Sequence, residues 1–188
     1  MVAYVEQKNL IPATIENDIW GTDYAIGTDT AVNTILQAIN EIRDTAKAHR
    51  RTFIIEVMGN KCGWLATYSA VAGGGNMVIV PEEEFDKEKI INKVQKLHDG
   101  GKSYLVILAS EGTGNMQELV KELEARTGIS TRLTVLGLVQ RGGSPTANDR
   151  VFASVLGEQA TLAAISGLHN IVFGMQRGNI VCIDLRDA

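Results

Sequence analysis

The chain has 188 residues, a length that suits one α/β domain or one large lobe of a larger enzyme. Its formal net charge is −4 at pH 7, so bulk charge indicates neither a nucleic-acid partner nor binding to an anionic membrane. No apolar run approaches the roughly 20 residues that span a bilayer. Hydrophobic residues make up 45% of the chain, which leaves a globular cytoplasmic protein with a real core as the expectation.

The amino-terminal residues and the two cysteines are consistent with this expectation. Residues 1–10, MVAYVEQKNL, contain no long apolar segment and do not read as a signal peptide. Cys62 and Cys182 form no C-x-x-C pair, which favours buried free thiols in a reducing compartment. With no Ser/Gly-rich linker, residues 1–188 are predicted to form a single domain.

Strand-like and helix-like segments alternate along the chain. After a short apolar run at 9–13, apolar residues at steps of three and four predict helices over 28–48, 65–72, 85–98, 116–126 and 147–166. Apolar, β-branched runs predict strands over 52–57, 77–80, 104–109 and 132–137. The terminal runs IVFGM and NIVCIDL predict a hairpin through Gln176, Arg177 and Gly178. The alternation predicts an α/β fold with a Rossmann-like, mostly parallel sheet and helices on both faces.

Polar, glycine-rich segments follow the predicted strands, at the positions where such sheets bind ligands. They are TIENDIWGTD, MGNKCGW, SEGTGN and LVQRGGSPTANDR. One such segment is more typical of loop geometry than of phosphate binding. Four of them, with Arg51, Arg132 and Arg141 beside them, favour an anionic small molecule, because a guanidinium fork suits phosphate.

The acids between residues 14 and 34 have two interpretations from the residues alone. Glu16, Asp18, Asp23 and Asp29 lie among glycines and threonines on a loop that leads into a helix. They are either part of a proton-transferring site or residues of turns and helix starts.

Three segments are similar in order and spacing to motifs of the 6-phosphofructokinases. TIENDIWGTDYAIGTDTAVNT resembles T-I-D-N-D-I-x-G-T-D-x-x-x-G-x-D-T-A-x-N, and IIEVMGNKCGWLA resembles E-V-M-G-R-x-x-G-x-x-A. VLGLVQRGGSPTANDR resembles V-L-G-H-x-Q-R-G-G-x-P-x-x-x-D-R. The family's glycine-rich nucleotide loop precedes the first motif. The resemblance therefore implies a phosphofructokinase-type fold truncated at its amino terminus, with the sugar-phosphate part present and most of the ATP-binding lobe absent.

The resemblance implies transfer of the γ-phosphoryl of ATP to the 1-hydroxyl of fructose 6-phosphate, with Mg²⁺. Glu16 stands at the position of the family's catalytic base, and Thr14 at that of the threonine beside the reacting hydroxyl. Asp18 matches the acid that helps to position Mg²⁺. Asn60 replaces an arginine whose charge points toward the transferred phosphoryl.

The sugar-binding positions are mostly retained. Met58 and Gly59 match residues whose backbone contacts the sugar, and Glu111 matches an acid that accepts bonds from its hydroxyls. Arg141 matches a ligand of the 6-phosphate. Arg51 and Arg132 match arginines that reach this phosphate from a neighbouring subunit, so the resemblance implies a homo-oligomer.

Three departures favour a second hypothesis. Glu16 is one methylene longer than the family's aspartate, Asn60 lacks the positive charge, and Leu138 replaces a phosphate-binding histidine. A similar pattern occurs in the carboxyl-terminal halves of eukaryotic phosphofructokinases, where the sugar site became an effector site for fructose bisphosphate. The alternative is thus a non-catalytic sugar-phosphate-binding module, either regulatory or orphaned from its amino-terminal half. Ala13 favours the ATP-dependent over the pyrophosphate-dependent lineage.

The remaining polar residues have structural interpretations. Glu82, Glu83 and Glu84 are predicted to open a helix, and Asp149 and Arg150 to form a structural pair. The three histidines show no metal-ligand spacing. Trp20 and Trp64 lie beside site segments, and core packing and ligand contact are equally compatible with their positions.

Overall fold

The computed structural model describes residues 8–187, so most of the amino-terminal segment discussed above lies outside the described residues. Two compact units divide the chain: Met1–Thr30 with Ser144–Ala188, and Ala31–Gly143. The assignment of one domain to residues 1–188 stays a prediction.

The elements alternate as predicted. In chain order they are β1 (Asn9–Leu10), α1 (Thr28–His49), β2 (Thr52–Val57), α2 (Trp64–Gly73), β3 (Met77–Ile79), α3 (Lys87–Asp99), β4 (Leu105–Ser110), α4 (Met116–Thr127), β5 (Thr131–Val135), a 3-10 helix (Gly137–Arg141), α5 (Ala147–Ile165), β6 (Ile171–Gln176) and β7 (Asn179–Asp184). Among residues 8–187, no helix is long and apolar enough to cross a membrane.

The second unit contains a four-stranded parallel sheet in the order β3-β4-β2-β5. Thr52 of β2 pairs with Leu105 of β4 and with Thr131 of β5, so these three strands start level with one another. The segments after β2, β4 and β5 therefore leave the sheet at the same edge. This is the edge at which parallel α/β sheets bind ligands.

Helices cover both faces of this sheet, and every residue of β4 is buried. Leu105 and Ile107 pack into a core that includes Val94 of α3 and Leu119 of α4. On the other face, a Cβ on Gly75, just past α2, would lie 3.1 Å from Leu108. Each fully buried Leu or Ile side chain stabilises the fold by about 1.5–3 kcal/mol, so the core holds the strand ends in place. The prediction of a parallel sheet with helices on both faces is confirmed for this unit.

Helix α3 starts later than the acids suggest. Asp86 is its N-cap, and Asp86 Oδ1 accepts a hydrogen bond from the amide of Lys89 at 3.0 Å. The prediction that Glu82–Glu84 open this helix is wrong, because the three residues lie in the turn before it. Glu82 Oε1 instead accepts a bond from the Gly63 amide at 2.7 Å.

The first unit contains a three-stranded sheet in the order β1-β6-β7. Strands β6 and β7 form the predicted antiparallel hairpin, in which Arg177 and Gly178 have φ of 51° and 78°. Two consecutive residues with positive φ are typical of a type I′ turn. Helix α5 packs against β6 through a cluster that contains Phe152, Leu156 and Phe173.

The expectation for the cysteines is corrected, and of the two interpretations of Trp20 core packing is excluded. The cysteines are free, but Cys62 is only half-buried and Cys182 is exposed, so neither is a buried core thiol. Trp20 is 66% exposed and is therefore not a core residue. Trp64 stacks on Tyr68, with ring centroids 4.5 Å apart.

Candidate functional site

In the first unit, the loop after β1 is held by Asn17. The Asn17 amide nitrogen donates to the carbonyl of Asp23 at 3.1 Å, and its oxygen accepts from the amide of Ala25 at 2.8 Å. Asn17 has φ 54°, in the left-handed region that asparagine tolerates better than most residues. The clamp fixes the backbone between Glu16 and Asp18, so the two carboxylates flank an anchored residue.

Thr14 closes the start of this loop. Its hydroxyl oxygen accepts from the Glu16 amide at 3.2 Å, and its carbonyl accepts from the Thr28 hydroxyl at 3.0 Å. Glu16 is half-buried and Asp18 is exposed. Within residues 8–187, no hydrogen bond or ion pair is assigned to either carboxylate, so both acids are available to a ligand.

The Asp18 carboxylate fits a Mg²⁺ site that is completed by ligand and water oxygens better than one built from protein side chains alone. In the described part of the chain, no group of three or more His, Cys, Asp and Glu side chains is arranged to hold a metal. Mg²⁺ is commonly bound through one or two carboxylates together with waters and substrate phosphates. One exposed acid therefore suffices on the protein side if the ligand supplies the remaining oxygens.

In the second unit, Glu111 connects the segments after β2 and β4. Glu111 Oε1 accepts hydrogen bonds from the amides of Gly59 and Asn60, each at 3.3 Å. Position 59 requires glycine, because a Cβ there would lie 2.4 Å from the Cys62 carbonyl oxygen. Two successive amides that donate to one oxygen form a small anion-binding site, which the Glu111 carboxylate fills.

Glu111 also affects Glu56 on β2. Burial raises the pKa of the Glu56 carboxyl above its ordinary value, and the negative charge of Glu111 raises this pKa further. Two carboxylates, Glu56 and Glu111, thus place negative charge near the carboxyl end of β2. A positive charge or a hydrogen-bond donor that a ligand brings there would be stabilised.

Gln140 connects the segments after β2 and β5. Its Oε1 accepts from the Met58 amide at 3.1 Å, and its Nε2 donates to the Gly137 carbonyl at 2.9 Å. Arg141 follows immediately and is exposed at the end of the 3-10 helix. The unit thus brings together Met58, Gly59, Asn60 and Glu111, and Gln140 ties the base of the Arg141 turn to them.

Arg51 and Arg132 lie at the opposite edge of the sheet. Arg51 directly precedes β2, and Arg132 pairs in register with Phe53 near the start of that strand. Arg132 Nη1 lies 3.0 Å from a carboxylate oxygen of Glu124. Within this unit the two arginines are separated from Met58 by the length of β2. Their predicted role toward a neighbouring subunit stays a prediction.

The pair Asp149 and Arg150 is structural, but the two do not pair with each other among the described contacts. Asp149, 2% exposed, accepts from the amides of Gly27 and Thr30, each at 2.9 Å. The Arg150 guanidinium donates to the Pro145 carbonyl at 2.9 Å. Asp149 therefore fixes the first turn of α1, which follows the loop that carries Glu16.

Sequence reasoning missed two organising residues, Asn17 and Gln140, and it missed the partners of a third, Asp149, which it predicted to be structural. All three lie inside the motifs quoted above, next to residues that were assigned roles. Their partners are 3 to 122 positions away in the chain. Polarity within a motif is the only signal in the sequence that points to them.

The fold and these strand-end segments define an α/β protein in which polar segments meet at the carboxyl edge of a parallel sheet, the edge at which such folds bind ligands. The family model described as "Phosphofructokinase" matches residues 7–164. The chain belongs to the phosphofructokinase family.

Curated relatives agree with this assignment. The chain is 47% identical over 178 residues to "ATP-dependent 6-phosphofructokinase 1" of Clostridium perfringens and 44% identical to "ATP-dependent 6-phosphofructokinase" of Clostridium botulinum. Each match covers 95% of this chain and 56% of the relative. The chain thus spans about half the length of the curated relatives it matches.

Solved structures share the fold. Phosphofructokinase from Saccharomyces cerevisiae superposes with a TM-score of 0.85 at 31% identity, over 93% of this chain and 25% of that one. Pyrophosphate-dependent phosphofructokinase from Marinobacter aquaeolei superposes with a TM-score of 0.87 over 95% of this chain and 51% of that one. At 24% identity, the second match is a likeness of fold alone.

Proposed function

We propose that this chain is the fructose-6-phosphate-binding part of an ATP-dependent 6-phosphofructokinase, an enzyme of glycolysis in the cytoplasm. The observation that carries the proposal is the contact of Glu111 with the Gly59 and Asn60 amides at the carboxyl edge of the sheet. These residues belong to segments that resemble the family's sugar-binding motifs, in a chain 47% identical to an ATP-dependent relative.

The sugar would be held by groups that the second unit presents together. In the proposed complex, sugar hydroxyls donate to Glu111, and the backbone of Met58 and Gly59 contacts the sugar. Arg141 binds the 6-phosphate, for which an exposed guanidinium is suited because it forms paired hydrogen bonds with phosphate oxygens. Arg51 and Arg132 of a second copy supply further charge to that phosphate, so the proposed assembly is a homo-oligomer.

Phosphoryl transfer needs a base, charge neutralisation and positioning. The proposal assigns the base to Glu16, the positioning of the hydroxyl to Thr14, and contact with Mg²⁺ to Asp18. Mg²⁺ would neutralise phosphate charge, and ATP would supply the transferred group. ATP would be bound mainly by a lobe that corresponds to the part of the relatives' length outside the match.

A non-catalytic module that binds fructose 6-phosphate or fructose bisphosphate is the second candidate. It is favoured by Glu16, whose carboxylate lies one methylene further from the backbone than that of the family's aspartate. It is also favoured by the uncharged Asn60, which replaces the family's arginine. The 47% identity to a clostridial enzyme, compared with 31% to the yeast structure, argues against a eukaryotic-type regulatory half. It leaves open a sugar-phosphate module that has lost catalysis.

Two measurements test the proposal. Calorimetry with fructose 6-phosphate and with fructose 1,6-bisphosphate tests the site: binding is expected, and Arg141→Ala should weaken it about tenfold or more, because a charge-assisted bond is lost. Absence of binding by either sugar would overturn both candidates. A coupled assay with ATP, Mg²⁺ and fructose 6-phosphate separates them, because turnover by the chain rules out the non-catalytic module. Arg150→Ala is the matched control for Arg141→Ala, because Arg150 is exposed and, among the described contacts, its side chain bonds only the nearby Pro145 carbonyl.

A further inference from the structure

Gln140 reverses the usual burial pattern of a surface turn. It is 1% exposed, whereas its apolar neighbours Leu138 and Val139 are 74% and 62% exposed. An amide side chain costs free energy when it is buried, unless its hydrogen bonds are formed. A turn that buries its polar residue and exposes two apolar ones is therefore organised around that residue's hydrogen bonds.

The two bonds of Gln140 fix its orientation. The Met58 amide can only donate and the Gly137 carbonyl can only accept, so one placement of the amide oxygen and nitrogen satisfies both. Met58 and Gly137 belong to the segments after β2 and β5. Gln140 thus forms a bridge: one bond anchors it in its own turn at Gly137, and the other crosses to Met58 in the segment after β2. Arg141 is its direct neighbour.

We propose that Gln140 is a positioning residue for the sugar-phosphate site, an inference that rests on the proposed function. The bridge holds the Met58 backbone, and with it Gly59, at a set distance from the turn that presents Arg141. Met58 and Gly59 are proposed to contact the sugar, and Arg141 the 6-phosphate. Gln140 therefore sets the spacing between the sugar end and the phosphate end of the site without touching the ligand.

The location of the bridge predicts that its loss affects ligand binding more than the stability of the fold. Within the described contacts, Gln140 bonds only backbone groups of the two site segments, and its turn contributes only Gln140 to the buried residues. A variant without the bridge should lose ligand affinity out of proportion to stability. Small displacements of binding groups have large effects on a bound substrate.

Two substitutions test the bridge. Gln140→Met is close in volume and removes both hydrogen bonds. Gln140→Glu keeps the acceptor for Met58 but donates to Gly137 only when its carboxyl is protonated. Burial raises the pKa of such a carboxyl, so protonation should set in toward about pH 6. The matched control is Asp86→Ala, which removes the cap of α3 in the same unit and lowers stability without touching either site segment.

The affinity for fructose 6-phosphate is measured by calorimetry between about pH 6 and pH 8, where phosphate remains mostly ionised, with the wild-type chain at each pH as reference. Gln140→Met is expected to bind about tenfold more weakly at every pH. For Gln140→Glu, the ratio of its dissociation constant to that of wild type should approach one as the pH falls. Asp86→Ala should bind within about twofold of wild type.

The outcomes are distinguishable. If wild type binds and Gln140→Met binds equally well, or if Asp86→Ala loses as much affinity as Gln140→Met, the positioning role is overturned and the proposed function stands. If the ratio for Gln140→Glu does not change with pH, the two-bond bridge is also excluded. If wild type binds neither fructose 6-phosphate nor fructose 1,6-bisphosphate, the proposed function fails and the positioning role fails with it.

Discussion

The backbone amide of Thr30 donates a hydrogen bond of 2.9 Å to the buried carboxylate of Asp149, which lies 119 positions further along the chain. The same carboxylate accepts from the Thr30 hydroxyl and from the Gly27 amide. Amides at the start of a helix have no partner within the helix, and a negative charge is favourable there. One side chain of α5 thus provides the acceptors for the first turn of α1.

Replacing Asp149 with Ala should destabilise the chain strongly. The change leaves the half-buried Gly27 and Thr30 amides without acceptors, and each such loss costs about 1–3 kcal/mol. We expect the free energy of unfolding to fall by about 3 kcal/mol, as measured by urea denaturation. Asp44→Ala, an exposed change on α1, is the control and should stay within about 0.5 kcal/mol. Equal effects of the two changes would contradict the capping role.

Glu56 should lower the free energy of unfolding at neutral pH. Its pKa is raised in the folded chain above the ordinary value of 4.5, first by burial and then by the charge of Glu111. Between those two pKa values the folded state binds more protons than the unfolded state. The free energy of unfolding is therefore unaffected by this shift below the unfolded pKa, and it falls as the pH rises through the folded pKa.

Glu56→Gln should accordingly raise the free energy of unfolding at pH 7. The expected gain is about 0.5 kcal/mol, because solvent screens a half-exposed carboxylate. The gain should disappear at acidic pH, where the carboxyl is protonated in both states. In a Glu111→Gln background the gain should shrink without vanishing, since burial is the larger cause. Glu84→Gln, on an exposed turn, should show no gain, and a gain there equal to that of Glu56→Gln would contradict this explanation.

Shortening the proposed base should increase turnover. Glu16→Asp moves the carboxylate back by one methylene, and misplacement of a catalytic group by about 1 Å can cost on the order of 100-fold in rate. We expect kcat for fructose 6-phosphate to rise about 10- to 100-fold with little change in KM, in a coupled assay. Glu41→Asp on the exposed face of α1 is the matched control. An unchanged kcat would rule out Glu16 as the base.

Restoring a charge at position 60 should also increase turnover. Asn60 has φ 50°, and arginine occupies the same backbone region in this chain at Arg50 and Arg177, each with φ 51°. Asn60→Arg should therefore fold, and under the proposed function it adds a cation near the transferred phosphoryl, where the transition state gains charge. The expected rise in kcat is about 100-fold, the size of effect seen when one stabilising group is removed elsewhere. Asn60→Gln adds length without charge, and an equal rise in that variant would contradict an electrostatic cause.

The sequence allowed the elements to be predicted better than the contacts between them. Strand β2 was predicted at its observed bounds, because an apolar run between charged and glycine residues has few alternatives. The parallel sheet followed from the alternation of strands and helices. The start of α3 was predicted too early. A run of three glutamates after a proline is a more conspicuous signal for a helix start than the single N-cap residue Asp86.

The bridges in the site were not predictable in the same way. Gln140 and Met58 are 82 positions apart, and Asp149 and Gly27 are 122 apart. Which polar side chain folds inward depends on the tertiary arrangement, and a single sequence does not carry that information. Motifs located the segments correctly, but they drew attention to Arg141 and Asp18 rather than to the neighbours that hold the backbone.

Strand β2 also acts as a spacer. Phe53, which pairs with Arg132, lies five positions before Met58, or about 17 Å at 3.3 Å per residue. A hexose monophosphate is much shorter than this, so one copy cannot offer both ends of β2 to the same molecule. If both ends serve one ligand, as proposed, the complete site exists only where two copies meet. The apparent affinity for the sugar phosphate should then depend on how much protein is present, and dilution alone would release the ligand.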